Sequence, residues 1–305
     1  MSTPRAALKR LAESSLARSG LPRLVRARHR REVLVLAYHN VVPRGERAVG
    51  DLSLHLPQDE FARQMESLRR THEVVALDSL LEPRPHSARP RAVVTFDDAY
   101  HGALTAGVDE LVRRGMPATV FVTPAYVGGG TFWWDEYADP ARGLDPALRE
   151  YALGALRGQG ERVGAWMAER GEHPATLPAH LGVADEVLLG RAAACPGITL
   201  ASHTWSHPNL AALAEDELDA ELARPLAWLR ERFQAVVPWL SYPYGLSSPL
   251  VERAAERAGY RGAFRVEGGW TPAGATGSFA LPRMNVPAGV SLHGFELRTA
   301  GFLDR

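Results

Sequence analysis

Two histidines four residues apart and two adjacent aspartates are the residues of this sequence best placed to do chemistry. His203 and His207 stand in Thr199–Leu210, T-L-A-S-H-T-W-S-H-P-N-L, directly after the short apolar run Ile198–Ala201. That run reads as a buried strand, and Pro208 stops any regular continuation. Imidazoles offered from one strand-to-loop junction can face a single point, as a divalent metal requires of its nitrogen ligands. With eleven histidines in 305 residues, such a spacing also arises by chance, so the pair alone decides little. Asp97 and Asp98 close a second apolar, β-rich run, A-V-V-T-F-D-D-A-Y over Ala92–Tyr100. Burying carboxylates at a strand end is costly unless each has a partner. Successive side chains of a strand point to opposite faces, so one aspartate can serve a metal and the other a water beside it. The plainer alternative is a helix cap, for which a single Asp would suffice.

The elements that must hold these residues alternate. Val33–Ala37 reads as a first strand ending in Tyr38-His39-Asn40, and Asp59–Arg70 as a helix with Phe61, Met65 and Leu68 on its apolar face. Val74–Leu77 is the next expected strand. A proline-punctuated loop, Pro83–Pro90, leads into the aspartate strand. A helix over Leu104–Arg114, ended by Gly115, precedes a strand at Ala118–Val122. Further strands are expected at Val236–Ser241 and Gly262–Val266, and helices at Ala214–Phe233 (with Pro225 inside), Pro249–Ala258 and Ser291–Ala300. This rhythm predicts an α/β fold on a parallel sheet, and the length suits one α/β barrel. The rhythm breaks at about 128–196, where helical patterns follow Gly128-Gly129-Gly130 and Phe132-Trp133-Trp134-Asp135. We read that segment as an insertion over the barrel mouth. Its aromatics are either a sugar-stacking wall or an anchor.

Composition narrows the function. Hydrophobic residues make up 46% of the chain, enough for one large core. The single cysteine, Cys195, excludes an intrachain disulfide. Net charge is zero, but residues 1–32 carry nine basic residues against Glu13 and Glu32, a net of +7 that leaves −7 for the rest. An acidic body argues against nucleic acid as a partner. The segment 1–32 is expected to be a basic arm, either solvated or laid on an anionic membrane surface. It lacks the continuous apolar stretch of a secretory signal, and no transmembrane stretch is evident, so the expected location is cytoplasmic, with peripheral contact at the inner membrane surface the alternative that the arm leaves open. The domain proper is expected to span 33–305.

Together the two stretches resemble the polysaccharide deacetylases, the family sharing the NodB-type domain of carbohydrate esterases. The family's T-F-D-D-G reads T-F-D-D-A here, its H-[ST]-x-x-H reads H-T-W-S-H, and its P-Y-G follows a strand as Tyr242-Pro243-Tyr244-Gly245. The resemblance covers roughly residues 33–300. It implies a distorted (β/α) barrel of seven or eight parallel strands and a metal-dependent hydrolase removing N-acetyl groups from an amino sugar in a polysaccharide, glycolipid precursor or glycoside. It implies a divalent metal, zinc by default with cobalt or nickel fitting too, on Asp98, His203 and His207. Asp97 would then be the base, and the backbone amide of Tyr244 would help hold the oxyanion. The arginine usual before the third motif's prolines is replaced by Ser241, and Arg283 is the candidate to supply that charge near Asp97. The early Tyr38-His39 looks like that of a poly-N-acetylglucosamine deacetylase-like subgroup, which makes His39 the candidate acid. His293, in Ser291-Leu292-His293, only faintly echoes the wider family's Leu-x-His. Two rivals remain: a non-catalytic carbohydrate-binding or assembly protein on the same fold, and a non-haem iron oxygenase with two histidines and one carboxylate.

Overall fold

In a computed structural model of the chain, describing residues 4–82, 89–274 and 277–302, the alternating elements form one curled sheet in a mixed α/β architecture. Six parallel strands follow one another in chain order: β1 (Glu32–Tyr38), β2 (Arg91–Phe96), β3 (Ala118–Val122), β4 (Ile198–Ser202), β5 (Val236–Ser241) and β6 (Gly262–Phe264). Each pairs with the next, as βαβ connections favour. Three short strands extend the sheet among the described residues. Glu73–Val74 runs parallel to β2, Trp270–Pro272 lies antiparallel to the first half of β1, and Met284–Asn285 runs parallel to its second half.

Residues 281–286 draw the two ends of the sheet together. Leu281 N–H donates to the Ala263 carbonyl at 2.9 Å, and Arg265 N–H donates to the Leu281 carbonyl at 2.9 Å, which ties the segment to β6. Val286 N–H donates to the Ala37 carbonyl of β1 at 3.0 Å. The result is a distorted, mostly parallel barrel. One difference from the sequence reading lies at Val74–Leu77, where the strand stops at Val74 and a 3₁₀ turn, Leu77–Leu81, takes over. The loop expected over Pro83–Pro90 falls, from 83 to 88, outside the described residues.

The alternation of side chains along the strands decides what reaches the barrel mouth. Val33, Val35, Val93, Phe121, Ala201, Trp239, Phe264 and Leu281 form one apolar cluster. Their neighbours Leu34, Leu36, Ala92, Val94, Val120 and Leu200 pack in another, with Phe61, Met65 and Leu68 of the helix Gln58–Thr71. Strands covered on both faces are apolar throughout, which is why β1, β2 and β3 read as continuous runs. Stepping by two along the first cluster leads from Val35 to His39, from Val93 to Asp97, from Ala201 to His203, from Trp239 to Ser241 and from Leu281 to Arg283. The strand period thus delivers five polar side chains to one end of the barrel.

Between β3 and β4 the described residues contain helices and no strand: Trp133–Glu136, Pro146–Gly154, Gly160–Ala168 and Glu186–Ala193. Phe132, Trp133 and Trp134 are buried, so they anchor this segment rather than offer an open wall. At the other end of the chain the helix Pro4–Arg18 packs beside Leu292–Arg298, with Ser291 Oγ donating to Glu13. Leu8 and Leu11 on it are exposed. No described helix is long and apolar enough to cross a membrane.

Candidate active site

A pocket of about 320 Å³ opens at the carboxyl ends of the strands, lined by His39, Asp97, Asp98, His203, His207, Tyr244 and Arg149 among others. Catalytic groups of parallel barrels sit at this end. Arg283 lies directly behind Asp97. His293 lies elsewhere, on Leu292–Arg298, facing a separate cavity with Arg10, Glu60 and Arg63.

Asp98, His203 and His207 form one corner. Each offers a ligand atom, and the three atoms lie within 4.8 Å of one another. Asp98 Oδ1 is 3.5 Å from His203 Nε2 and 3.4 Å from His207 Nε2, and the two nitrogens are 3.1 Å apart. His203 Nδ1 sits 2.8 Å from the Ser241 carbonyl, to which it can only donate. That bond fixes the tautomer and leaves a lone pair on Nε2, aimed at the corner. With His203 Nε2 unprotonated, only a proton on His207 Nε2 or a shared cation makes the close pair attractive. Asp98 Oδ1 is buried without a hydrogen-bond partner. Burial, then the charges of Asp97 and Asp135, push the Asp98 carboxyl well above its usual range. Burial likewise pushes both imidazoles down, so they are neutral donors. An orphaned carboxylate oxygen facing two imidazole nitrogens fits a divalent cation.

Asp97 belongs to the other corner. Arg283, fully buried, donates from Nη1 to Asp97 Oδ1 at 2.8 Å and from Nη2 to Oδ2 at 2.7 Å. Its remaining donors reach Thr95 Oγ1, Ser241 Oγ and the Arg265 carbonyl, and Ser241 Oγ donates to Asp97 Oδ2 at 3.2 Å. All five donors of the guanidinium fork are therefore matched. Burial alone would raise the Asp97 carboxyl, but the Arg283 guanidinium overcomes it and holds the group well below the usual carboxylate range. His39 is pushed down to about 4, chiefly by burial, with Asp97 pulling the other way.

Left-handed backbone concentrates here. Asp98 (φ 69°), Ala99 (52°), Thr204 (66°), His207 (60°) and Tyr244 (59°) make up five of the six non-glycine residues with positive φ among those described. Such conformations cost free energy and persist where the surroundings enforce them. Thr204 Oγ1 accepts from His207 N–H at 3.1 Å, curling the loop so that both rings meet. The loop is gripped from outside by Glu221, which sequence reasoning missed. Its carboxylate accepts from Trp205 N–H (3.0 Å), Ser206 N–H (2.9 Å) and Ser206 Oγ (2.6 Å). Its backbone carbonyl also accepts from Trp205 N–H, at 3.1 Å. That carbonyl is available because Pro225, four residues on in the helix Glu215–Arg232, has no N–H to give it. The proline was the signal: a helix that runs through one must place an orphan carbonyl somewhere.

Tyr244 is held by the helical segment between β3 and β4. Its hydroxyl donates to the Gly158 carbonyl at 3.1 Å and accepts from Trp133 Nε1 at 3.2 Å. Its ring meets His207 edge-on, and the Trp134 ring lies 4.9 Å from that of His207. Gly158 has φ +66°, and a Cβ there would come within 2.7 Å of the Tyr244 ring. Beyond the pocket, Asp135 is a buried carboxylate held by His55 Nε2 (2.8 Å), Tyr100 Oη (2.7 Å) and Asp51 N–H (2.9 Å).

Residues 85–263, more than half of the chain, match the family model for polysaccharide deacetylase. The chain belongs to the polysaccharide deacetylase family. Membership brings deacetylation as the general reaction class. Solved structures with the same fold include the Streptococcus pyogenes deacetylase PplD in complex with acetate, at TM-score 0.61 and 15% identity over 88% of this chain and 98% of that one. IcaB from Ammonifex degensii aligns at TM-score 0.61 and 17% identity, over 88% and 97%. A de-N-acetylase from Aggregatibacter actinomycetemcomitans aligns at 0.57 and 15%, over 83% and 94%. At these identities the likeness is one of fold. Among curated proteins there is no sequence match.

Proposed function

We propose that this deacetylase is a metal-dependent hydrolase that removes N-acetyl groups from an amino sugar within a glycan. The observation that carries the reading is the buried Asp98 Oδ1, without a hydrogen-bond partner, facing His203 and His207 Nε2 at 3.5 and 3.4 Å. These three side chains would hold a divalent cation, zinc being the default for two nitrogens and one oxygen, with cobalt or nickel as substitutes. Such a cation supplies Lewis acidity, stabilising charge on an acyl oxygen and easing deprotonation of water.

The chain's own residues do the rest. Asp97 stays ionised and is aimed by Arg283, so it accepts the proton of the attacking water. An Asp held this firmly is a weak base, which would suit a water whose deprotonation a bound cation eases. The backbone N–H of Tyr244 donates to the acyl oxygen as that oxygen becomes negative. His39 protonates the departing amine. Because burial keeps His39 neutral near pH 7, its proton has to arrive during turnover, and the water proton collected by its electrostatic partner Asp97 is the source. The pocket holding His39, with His293 in another cavity, supports His39 as the acid. The test is acetate release from a panel of N-acetylated sugars and glycosides, with and without chelator. Activity abolished by chelation and restored by zinc or cobalt supports the reading. Chelator-resistant acetate release, or none from any substrate, defeats it.

A further inference from the structure

His203 and His207 reach the same corner by different means. The His203 ring is fixed by the bond from Nδ1 to the Ser241 carbonyl, whereas His207 Nδ1 is buried with no hydrogen-bond partner. A histidine that binds a metal ordinarily donates from its second nitrogen to a carboxylate, carbonyl or water, and that bond sets the angle of the ring. His207 also stands on left-handed backbone (φ 60°), a conformation that persists only where the surroundings enforce it. What meets its ring is aromatic: Tyr244 at 4.7 Å between ring centroids, Trp134 at 4.9 Å and Phe132 at 5.7 Å.

Trp134 is the one of these tied to the loop of the third ligand. It stacks on Phe132 at 4.3 Å with the planes 8° apart, and its Nε1 donates to Tyr100 Oη at 2.9 Å. An indole nitrogen can only donate, so the single proton of the Tyr100 hydroxyl goes to Asp135 Oδ2, at 2.7 Å. Burial, then the Asp135 charge, push that hydroxyl well above its ordinary value, so it keeps the proton it donates. Asp135 Oδ1 accepts from Asp51 N–H at 2.9 Å and from His55 Nε2 at 2.8 Å. Asn40 Nδ2 donates to His55 Nδ1 at 3.1 Å, which leaves the His55 proton on Nε2, facing Asp135. Every proton along this chain has one direction. Tyr100 stands two residues after Asp98, and Asn40 directly after His39. The bonds therefore join the Asp98 loop and the end of β1 to the indole that packs on His207.

We infer that Trp134 is the positioning residue for His207, with Tyr100 and Asp135 holding it in place. An indole packed on the imidazole and pinned to the Asp98 loop does for His207 what the Ser241 carbonyl does for His203. The inference rests on the metal reading of the corner and deepens it. It gives the helical segment between β3 and β4, which carries Trp134 and Asp135, a part in shaping the metal corner.

The test follows His207 with and without metal in the full-length chain. Tyr100→Phe removes the hydroxyl and keeps the ring. At a temperature where circular dichroism finds the variant folded, its zinc affinity should fall about tenfold by competition with a chelating dye. In the metal-free proteins, nitrogen-15 spectra of the histidine rings should show the His207 resonances shifted or broadened and those of His203 in place. Trp134→Phe, which keeps a ring against His207 but drops the Nε1 bond, should show a similar loss of affinity. Adding Tyr100→Phe to it should cost no more, because the hydroxyl acts through the indole. Wild-type affinity with unmoved His207 resonances in Tyr100→Phe, or losses that add in the double variant, overturn the inference. A raised KM at unchanged zinc affinity does so too, by making Trp134 a substrate contact. A wild type that binds no zinc defeats the metal reading instead, and the His207 resonances of the metal-free proteins then decide whether Trp134 positions the ring.

Discussion

Asp97 and Asp98 are chain neighbours, both almost completely buried, yet their surroundings treat them in opposite ways. Asp97 has a full set of partners: a two-pronged guanidinium and a serine hydroxyl. Asp98 has an oxygen with no hydrogen-bond partner, two neutral imidazole nitrogens close by and a second carboxylate raising its proton affinity. The first arrangement is complete as it stands. The second is complete only when something positive enters. One residue of chain, with a left-handed turn at Asp98 (φ 69°), thus divides the pocket into a fixed corner and a receptive one.

The fixed corner should be the more expensive to break. Arg283→Met leaves a buried carboxylate uncompensated, and the loss of folding stability should be about 3–5 kcal/mol by denaturant unfolding at neutral pH. A loss below about 1 kcal/mol, the value of a surface pair, would mean that Asp97 is not held as described. His39, which stands beside the fixed corner, should matter for turnover and not for the metal. His39→Ala should retain metal and fold but lose roughly 10²–10⁴-fold in kcat on an amide. The loss should shrink on an activated aryl acetate, whose leaving group needs no proton. His293→Ala should change neither, and an amide-specific loss there instead would move the acid to the other cavity.

The receptive corner should respond to the groups that hold its loop. Glu221→Gln keeps size but removes an acceptor from the clamp on Trp205 and Ser206, and zinc affinity should fall about 10–100-fold by competition with a chelating dye. Unchanged affinity would show that the loop holds its shape without Glu221. A smaller effect concerns pH. Because the Asp98 carboxyl is raised, its proton competes with the metal, so zinc affinity should weaken as pH falls through that raised value. Calorimetry in buffers of different ionisation enthalpy should register proton release on zinc uptake in the wild type, and an uptake with none would argue against Asp98 as the competing group.

Much of this arrangement is legible in the sequence. The strand runs were legible because buried parallel strands are apolar throughout, and the polar residues that end them follow by the two-residue period. Asp97, Asp98, His203 and His207 are contiguous or nearly so, so their spacing shows in a linear string. Arg283 lies 186 residues from Asp97, and only the expectation that a missing charge must be replaced pointed to it. Glu221 looks like any acid on a helix face, and only Pro225, which leaves the Glu221 carbonyl without its helical donor, hints at its role. The Asp135–His55–Tyr100 network gave no hint, because its members lie 35 and 80 residues from Asp135. The strand expected over Val74–Leu77 shrank to two residues because its second half turns into a 3₁₀ helix whose Leu77 and Leu80 pack inward.

The division between the two aspartates is tested most directly by counting metal in two variants side by side. Asp97→Asn and Asp98→Asn should be purified identically, loaded with zinc, desalted and assayed for zinc by mass spectrometry and for acetate release. The account predicts stoichiometric zinc in Asp97→Asn with turnover down roughly 10²–10⁴-fold, and loss of zinc in Asp98→Asn. Full zinc occupancy in Asp98→Asn, or loss of zinc in Asp97→Asn with activity kept by Asp98→Asn, would contradict it.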